Sequence, residues 1–182
     1  FELLFKILFI FDDIIIPALM KIGLEWKEGR LSITQEHLAS ELIRKFVSSL
    51  SDNPITNSHS INAFCFTLIN DKHDLPLFMA ETIFNQSDKV VSYNLGSNLP
   101  IDDFINQSLK IDPHIIFISV IYVESNKIVS DELNKLLLQF KDKNTTIFLS
   151  GQSLDSLNIK HSNFVQINSY KELQDHVIRL EG

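Results

Sequence analysis

From residue 61 onward, short apolar runs alternate with segments of helical spacing, and this alternation constrains the chain more than any other feature. The runs at 61–69, 89–95, 114–120, 145–149 and 164–167 are bounded by polar residues and read as strands. Between them, 75–85, 101–110, 130–143 and 170–180 carry apolar residues at helical intervals. Strands joined through helices by short links call for a parallel, doubly wound sheet, here of five strands. Such sheets bind ligands beyond the carboxyl ends of their strands, where the winding direction reverses.

The first third reads as helix throughout. Leu3, Leu4, Ile7, Leu8, Ile10 and Phe11 predict an apolar helix, and Asp12 or Asp13 is placed to cap a second one running to Glu28. Gly29 is its expected left-handed stop, and Pro17 falls near its first turn, where a missing amide costs little. Ser32-Ile33-Thr34-Gln35 has the pattern of a capping box that opens a third helix. On that helix Leu38, Leu42, Phe46 and Val47 mark the expected buried face, with Glu41, Arg44 and Lys45 outside. The Ser-, Asn-, Asp- and Pro-rich stretch 48–60 predicts a linker. The expected division is a helical bundle over 1–58 and an α/β domain over 59–182.

Composition narrows the function classes. A formal charge of −7 argues against this segment clamping a phosphate backbone, which relies on Lys and Arg. The single cysteine, Cys65, excludes an internal disulfide and fits a reducing cytoplasm. It lies in the apolar run Ala63-Phe64-Cys65-Phe66 and is expected to be a buried, inert thiol. Glu2, Lys6, Asp12 and Asp13 break the opening apolar run well short of a membrane span. The chain starts on Phe1 rather than Met, so part of a longer protein is expected upstream. His59, His114, His161 and His176 show no zinc-like spacing.

Two constellations carry chemistry. Nine residues separate Trp26 from Glu36-His37, which puts an indole, a carboxylate and an imidazole at a similar level of a helical hairpin. This reads either as a lid over a planar ligand or as a Trp closing the hairpin core beside solvated Glu36 and His37. His73 follows the first strand, with Asp71 two residues before it. A carboxylate there can take the proton on the far ring nitrogen and raise the basicity of a metal-bound imidazole. The bland reading is a polar surface histidine.

In their order and spacing these motifs resemble the cobalamin-binding, light-sensing regulators of the MerR type. Trp26 with Glu36-His37 is similar to their Trp-x9-Glu-His signature, and the stretch from Pro17 to Trp26 is similar to their second bundle helix. Downstream, Asp71-x-His73 resembles Asp-x-His-x-x-Gly, and Ser119-Val120-Ile121 resembles Ser-x-Leu. Ser150-Gly151 stands where Gly-Gly is expected, and Leu95-Gly96 through Pro100 resembles Leu-Gly-x-x-x-Pro.

The resemblance implies a four-helix-bundle cap followed by a flavodoxin-like (Rossmann-type) domain, with cobalamin between them in its adenosyl or methyl form. His73 would be the lower cobalt ligand. Ser119 and Ser150-Gly151 would line a groove for the nucleotide tail, and Asp71, Pro76, Leu95, Gly96 and Ile121 would also be cofactor-binding. Trp26 would cover the upper face with Glu36 and His37 beside it, and His37 would bind cobalt after photolysis. The resemblance also implies a homo-oligomer, dimer or tetramer, that reaches DNA through an N-terminal winged helix beyond this chain. By itself the segment would be non-enzymatic. The departures are Pro76 for the glycine after the histidine, Ser150 for the first of the paired glycines, and Ile121 for leucine. Two other readings stand beside this one: a corrinoid carrier of a methyltransferase system, and a degenerate domain holding another ligand such as haem.

Overall fold

The computed structural model describes residues 2–50 and 61–181. Five parallel strands, β1 (Ile61–Thr67), β2 (Val90–Gly96), β3 (Ile115–Ser119), β4 (Thr146–Ser150) and β5 (Val165–Ile167), form one sheet. Their order is β2-β1-β3-β4-β5: the doubly wound parallel sheet that the alternation predicts, in the flavodoxin-like order that the resemblance implies. Helices α4 (Leu75–Phe84), α5 (Ile101–Ile111), α6 (Asn126–Gln139) and α7 (Tyr170–Glu181) make the crossovers and close the chain. The expected start of α6 near residue 130 is four residues late, because Ser125 accepts the Ile128 N–H and caps the helix there.

Alternation along the strands divides the core in two. Ala63, Cys65, Ile115, Phe117 and Phe148 face α4 and α7, while Phe64, Phe66, Ile116, Ile118, Ile147 and Leu149 face α5 and α6. Near-continuous burial of β1 and β3 follows from having helices on both faces. The first cluster also takes in Ile7, Phe11, Ile15 and Val47, so the N-terminal helices form a further layer outside α4 and α7.

The expectation of two helices before Gly29 is corrected. Residues 2–27 form one continuous rod of α1 (Glu2–Phe9), a π-helical segment (Ile10–Ile15) and α2 (Ile16–Lys27). Phe9, Ile15 and Ile16 all keep right-handed helical dihedrals, so no cap interrupts it. The physical reason lies at Pro17. A proline inside a helix removes a donor and crowds the preceding turn. The widened turn ahead of it, where the Ile16 N–H reaches back to the Phe11 carbonyl, takes up that mismatch. Asp12 is then free to serve another helix: its carboxylate accepts the backbone N–H groups of Tyr170 at 2.8 Å and Lys171 at 3.0 Å.

The rod ends as expected, with Gly29 at φ +73°. Helix α3 (Ile33–Ser48) opens on the predicted capping box, Ser32 and Gln35 bonding each other's backbone amides. Its predicted inner face is corrected. Only Val47 is buried, whereas Leu38, Leu42 and Phe46 are 60%, 58% and 45% exposed. The helix turns Ile43, Arg44 and Val47 toward the α/β domain, because Arg44 pairs with Asp74 at 2.6 Å and lies over the Phe78 ring. Among the described residues the helical N-terminal region comprises two rods, 2–27 and α3. The proposed boundary at 58/59, most of the linker and His59 lie outside the described residues. Among the described residues no helix is long and apolar enough to cross a membrane.

Candidate functional site

Adjacent strands β1 and β3 send their chains to opposite faces of the sheet, β1 into α4 and β3 into α6. The crevice between their carboxyl ends is the switch point, and Asp71 bridges it. This buried carboxylate accepts the backbone N–H of His73 at 3.0 Å and the His73 ring Nδ1–H at 2.8 Å through one oxygen. Through the other it accepts the N–H groups of Ile121 at 2.7 Å and Tyr122 at 3.1 Å, from the loop after β3. Four donors on one carboxylate fix both loops relative to each other.

Further bonds set the first loop. Thr67 Oγ1 donates to the Asp71 carbonyl at 2.5 Å and accepts the Asn98 N–H at 2.9 Å. Asn98 in turn accepts the N–H of Asn70, and both asparagines adopt positive φ.

The result is a tethered imidazole with one nitrogen to spare. Because a carboxylate can only accept, Nδ1 carries the proton and Nε2 is left as a lone-pair donor. The His73 side chain is 55% exposed while that of Asp71 is 2% exposed, so the ring stands out from a buried anchor. The hydrogen bond to Asp71 raises the His73 pKa, opposed by partial burial and assisted by the charges of Asp71, Glu36 and Asp74.

Glu36 brings α3 into this field. Burial raises its pKa, but hydrogen bonds from Ser40 and His37 and the charges of His37 and His73 outweigh burial and lower it overall. Glu36 thus lies close enough to His73 for each to shift the other. His37 bonds Glu36 while its side chain remains 71% exposed, and Trp26 is 48% exposed. Neither Trp26 nor His73 is buried in a core.

The remaining predicted residues all sit at the carboxyl edge of the sheet. Leu95 and Gly96 end β2, Ser119 ends β3 just before Ile121, and Ser150 ends β4. Ser119 is fully buried, and its Oγ has no hydrogen-bond partner among the described residues. Gly151 has φ +126°, and a Cβ there would lie 2.2 Å from the Val120 carbonyl oxygen. Glycine is obligatory at that point. Ser150 is different: it continues the regular β4 ladder opposite Ser119, where a Cβ costs nothing. Pro76 is the second residue of α4, where no intrahelical donor is needed. These two departures from the motif therefore fall where the backbone tolerates them.

Three residues that touch His73 or the segment following it escaped sequence reasoning. The Tyr122 ring lies 6.5 Å from the His73 ring, and its only signal was an aromatic just past a strand end. Arg44 was expected to face solvent. Tyr170 was read only as the start of the closing helix, yet its hydroxyl donates to the Pro76 carbonyl at 3.0 Å.

Residues 2–51, which hold Trp26, Glu36 and His37, match a family model described as B12 binding domain. This match supports a cobalamin-binding region. Across 128 residues the chain is 29% identical to the HTH-type transcriptional repressor CarH of Myxococcus xanthus, covering 69% of this chain and 42% of that protein. The chain thus spans less than half the length of that curated relative. Two solved structures share the fold at 12% identity. One is the monomethylamine corrinoid protein of Methanosarcina barkeri, with a TM-score of 0.62 over 89% of this chain and 78% of that one. The other is the methanol:cobalamin methyltransferase complex MtaBC from Methanosarcina barkeri, with a TM-score of 0.55 over 96% of this chain and 67% of that one.

Proposed function

We propose that this chain is the cobalamin-binding sensory part of a transcriptional regulator, holding the cofactor between its helical cap (1–58) and its α/β domain (59–182). The observation that carries the reading is the Asp71–His73 pair at the β1/β3 switch point, with Nδ1 engaged and Nε2 free. His73 Nε2 would hold the cobalt. Asp71 holds the ring in the tautomer that can ligate and strengthens it as a donor. The unpartnered Ser119 Oγ is the hydrogen-bonding group of the tail groove, with Ile121, Ser150, Gly151, Leu95 and Gly96 around it and Pro76 opening the helix beneath. Trp26, Glu36 and His37 would hold the cofactor from the helical side, and His37 would be available to bind cobalt after photolysis.

Bound cobalamin, in its adenosyl or methyl form, supplies a cobalt centre with an exchangeable upper ligand. The protein's own part is to bind, to orient His73 and to exclude water. A ligand or light signal acts only if it favours one arrangement of cap and domain over another. The regulator reading is supported by the similarity to CarH, which is named as a repressor. In this reading the protein is a cytoplasmic, non-enzymatic homo-oligomer that reaches DNA through a winged helix outside this chain.

The test is to mix the purified chain with adenosylcobalamin in the dark and pass it through size exclusion. Co-elution of protein and visible absorbance is expected, and complete loss of colour from the protein overturns the reading. A corrinoid carrier is the second reading, on the likeness of fold to the Methanosarcina corrinoid protein. Methylation of the bound cobalt by a partner methyltransferase, from its methyl donor, would favour the carrier.

A further inference from the structure

The segment that carries His73 is held at three points, and two of them depend on the N-terminal helices. Asp71 is tied to the β3 loop, as described. One residue past His73, Asp74 pairs with Arg44 of α3 at 2.6 Å. Two residues further, the Pro76 carbonyl accepts the Tyr170 hydroxyl at 3.0 Å. Tyr170 is itself held from the rod: its N–H bonds Asp12 at 2.8 Å, and its ring meets Phe11 edge-on at a centroid distance of 5.4 Å.

We propose that Arg44 and Tyr170 are positioning residues, through which the helical cap sets the placement of the His73 imidazole. The inference rests on the reading of His73 as a cobalt ligand, and it gives the cap a role that reaches beyond covering the upper face. Two struts run in parallel. One goes from α3 through Arg44 to Asp74, the other from the π-helical turn through Tyr170 to Pro76. The π segment matters because Phe11 and Asp12, which grip Tyr170, both lie in it. A shift of the rod along α7 is thereby passed to the first turn of α4, and so to the loop that carries His73. A hydrogen bond that orients a ligating group from outside the metal's own ligand set is worth about tenfold or more in affinity.

The test compares Tyr170→Phe and Arg44→Gln with Arg44→Lys, which keeps the charge, and with Val177→Ala. Val177 is fully buried in α7, so its truncation destabilises the same helix without touching Pro76. In the ligand-free chain, amide hydrogen exchange is read at His73, Asp74 and Leu77, after correction for each variant's global stability. With cob(II)alamin bound to chain labelled with 15N-histidine, electron paramagnetic resonance reads whether the axial nitrogen comes from the protein. Tyr170→Phe and Arg44→Gln should speed exchange at those three amides, lower the share of protein-derived nitrogen and weaken binding about fivefold to tenfold. Arg44→Lys should recover part of each change, and Val177→Ala should show none of them.

If both strut variants behave like Val177→Ala in exchange and in axial nitrogen, the inference is wrong. If the unaltered chain shows no protein nitrogen on cobalt, the cobalt-ligand reading of His73 fails instead. The exchange data then still decide whether the struts hold the loop.

Discussion

Asp12 caps a helix that begins 158 residues later, at Tyr170. Its two carboxylate oxygens take the N–H groups of Tyr170 and Lys171, two of the donors that a helix start leaves without partners. This is the chemistry of an N-cap side chain delivered from another element. Asp12→Ala is therefore expected to destabilise the chain by about 1–2 kcal/mol, the usual value of a lost cap. Asp12→Asn should cost less, because an amide oxygen still accepts. Urea unfolding of the two variants measures the difference, and equal losses would show that charge rather than hydrogen bonding dominates.

That bond also shows where sequence reasoning stopped. The strand–helix alternation was legible because each strand is a short apolar run between polar residues, and burial on both faces demands that pattern. The edge residues followed, since a parallel sheet gathers its strand ends wherever the loops go. The hairpin was harder. Asp12-Asp13 before an apolar stretch looks like a local cap, and nothing in one dimension says that a π turn would point Asp12 at α7. Leu38, Leu42 and Phe46 likewise formed an ideal inner stripe by spacing. The pairing of Arg44 with Asp74, thirty residues away in sequence, turned another face inward.

The Asp71 carboxylate leads to a prediction about binding. Asp71→Asn keeps the shape but exchanges an all-acceptor group for one that must donate at one end. It cannot satisfy His73 and both amides of the β3 loop together. Cobalamin affinity should fall about tenfold to a hundredfold, as for other partners of metal-bound imidazoles. Titration by absorbance measures this, and an unchanged dissociation constant would remove Asp71 from the site. His73→Ala should in addition change the visible spectrum of whatever cobalamin remains bound.

Glu81 makes stability depend on pH. Burial raises its pKa above the ordinary value of 4.5, and the hydrogen bond from Asn94 only partly offsets this. The folded state then holds the proton more tightly than the unfolded state. The resulting contribution is fully present below 4.5 and is lost as the pH rises through the folded value. Glu81→Gln stays neutral throughout, so its stability relative to the unaltered chain should rise between acidic and neutral pH. Urea unfolding of both proteins across that range gives the slope, and a flat difference would exclude the effect.

Cys65 should be unreactive while the chain is folded. Its burial pushes the thiol pKa well up, with the nearby Glu81 charge adding to the shift, and the side chain has no exposed surface. Thiolate is the reactive form, so both its population and its access are suppressed. A disulfide reagent should label one thiol per chain only at denaturant concentrations where the chain unfolds. Stoichiometric labelling in native buffer would mean that β1 opens locally.

The two faces of α3 give the last expectation. Val47 is fully buried against the core shared with α4 and α7, whereas Leu42 is 58% exposed. Val47→Ala removes buried apolar surface and leaves a void, which should cost about 1–3 kcal/mol. Leu42→Ala removes surface that is already largely in water and should change stability by no more than about 0.5 kcal/mol. The spacing of the apolar residues alone would predict similar losses, since it puts both on one stripe. Unfolding midpoints of the two variants, at equal protein concentration, separate the alternatives. Equal large losses would mean that Leu42 is covered in solution, and a dependence of its loss on protein concentration would identify the cover as another copy of the chain.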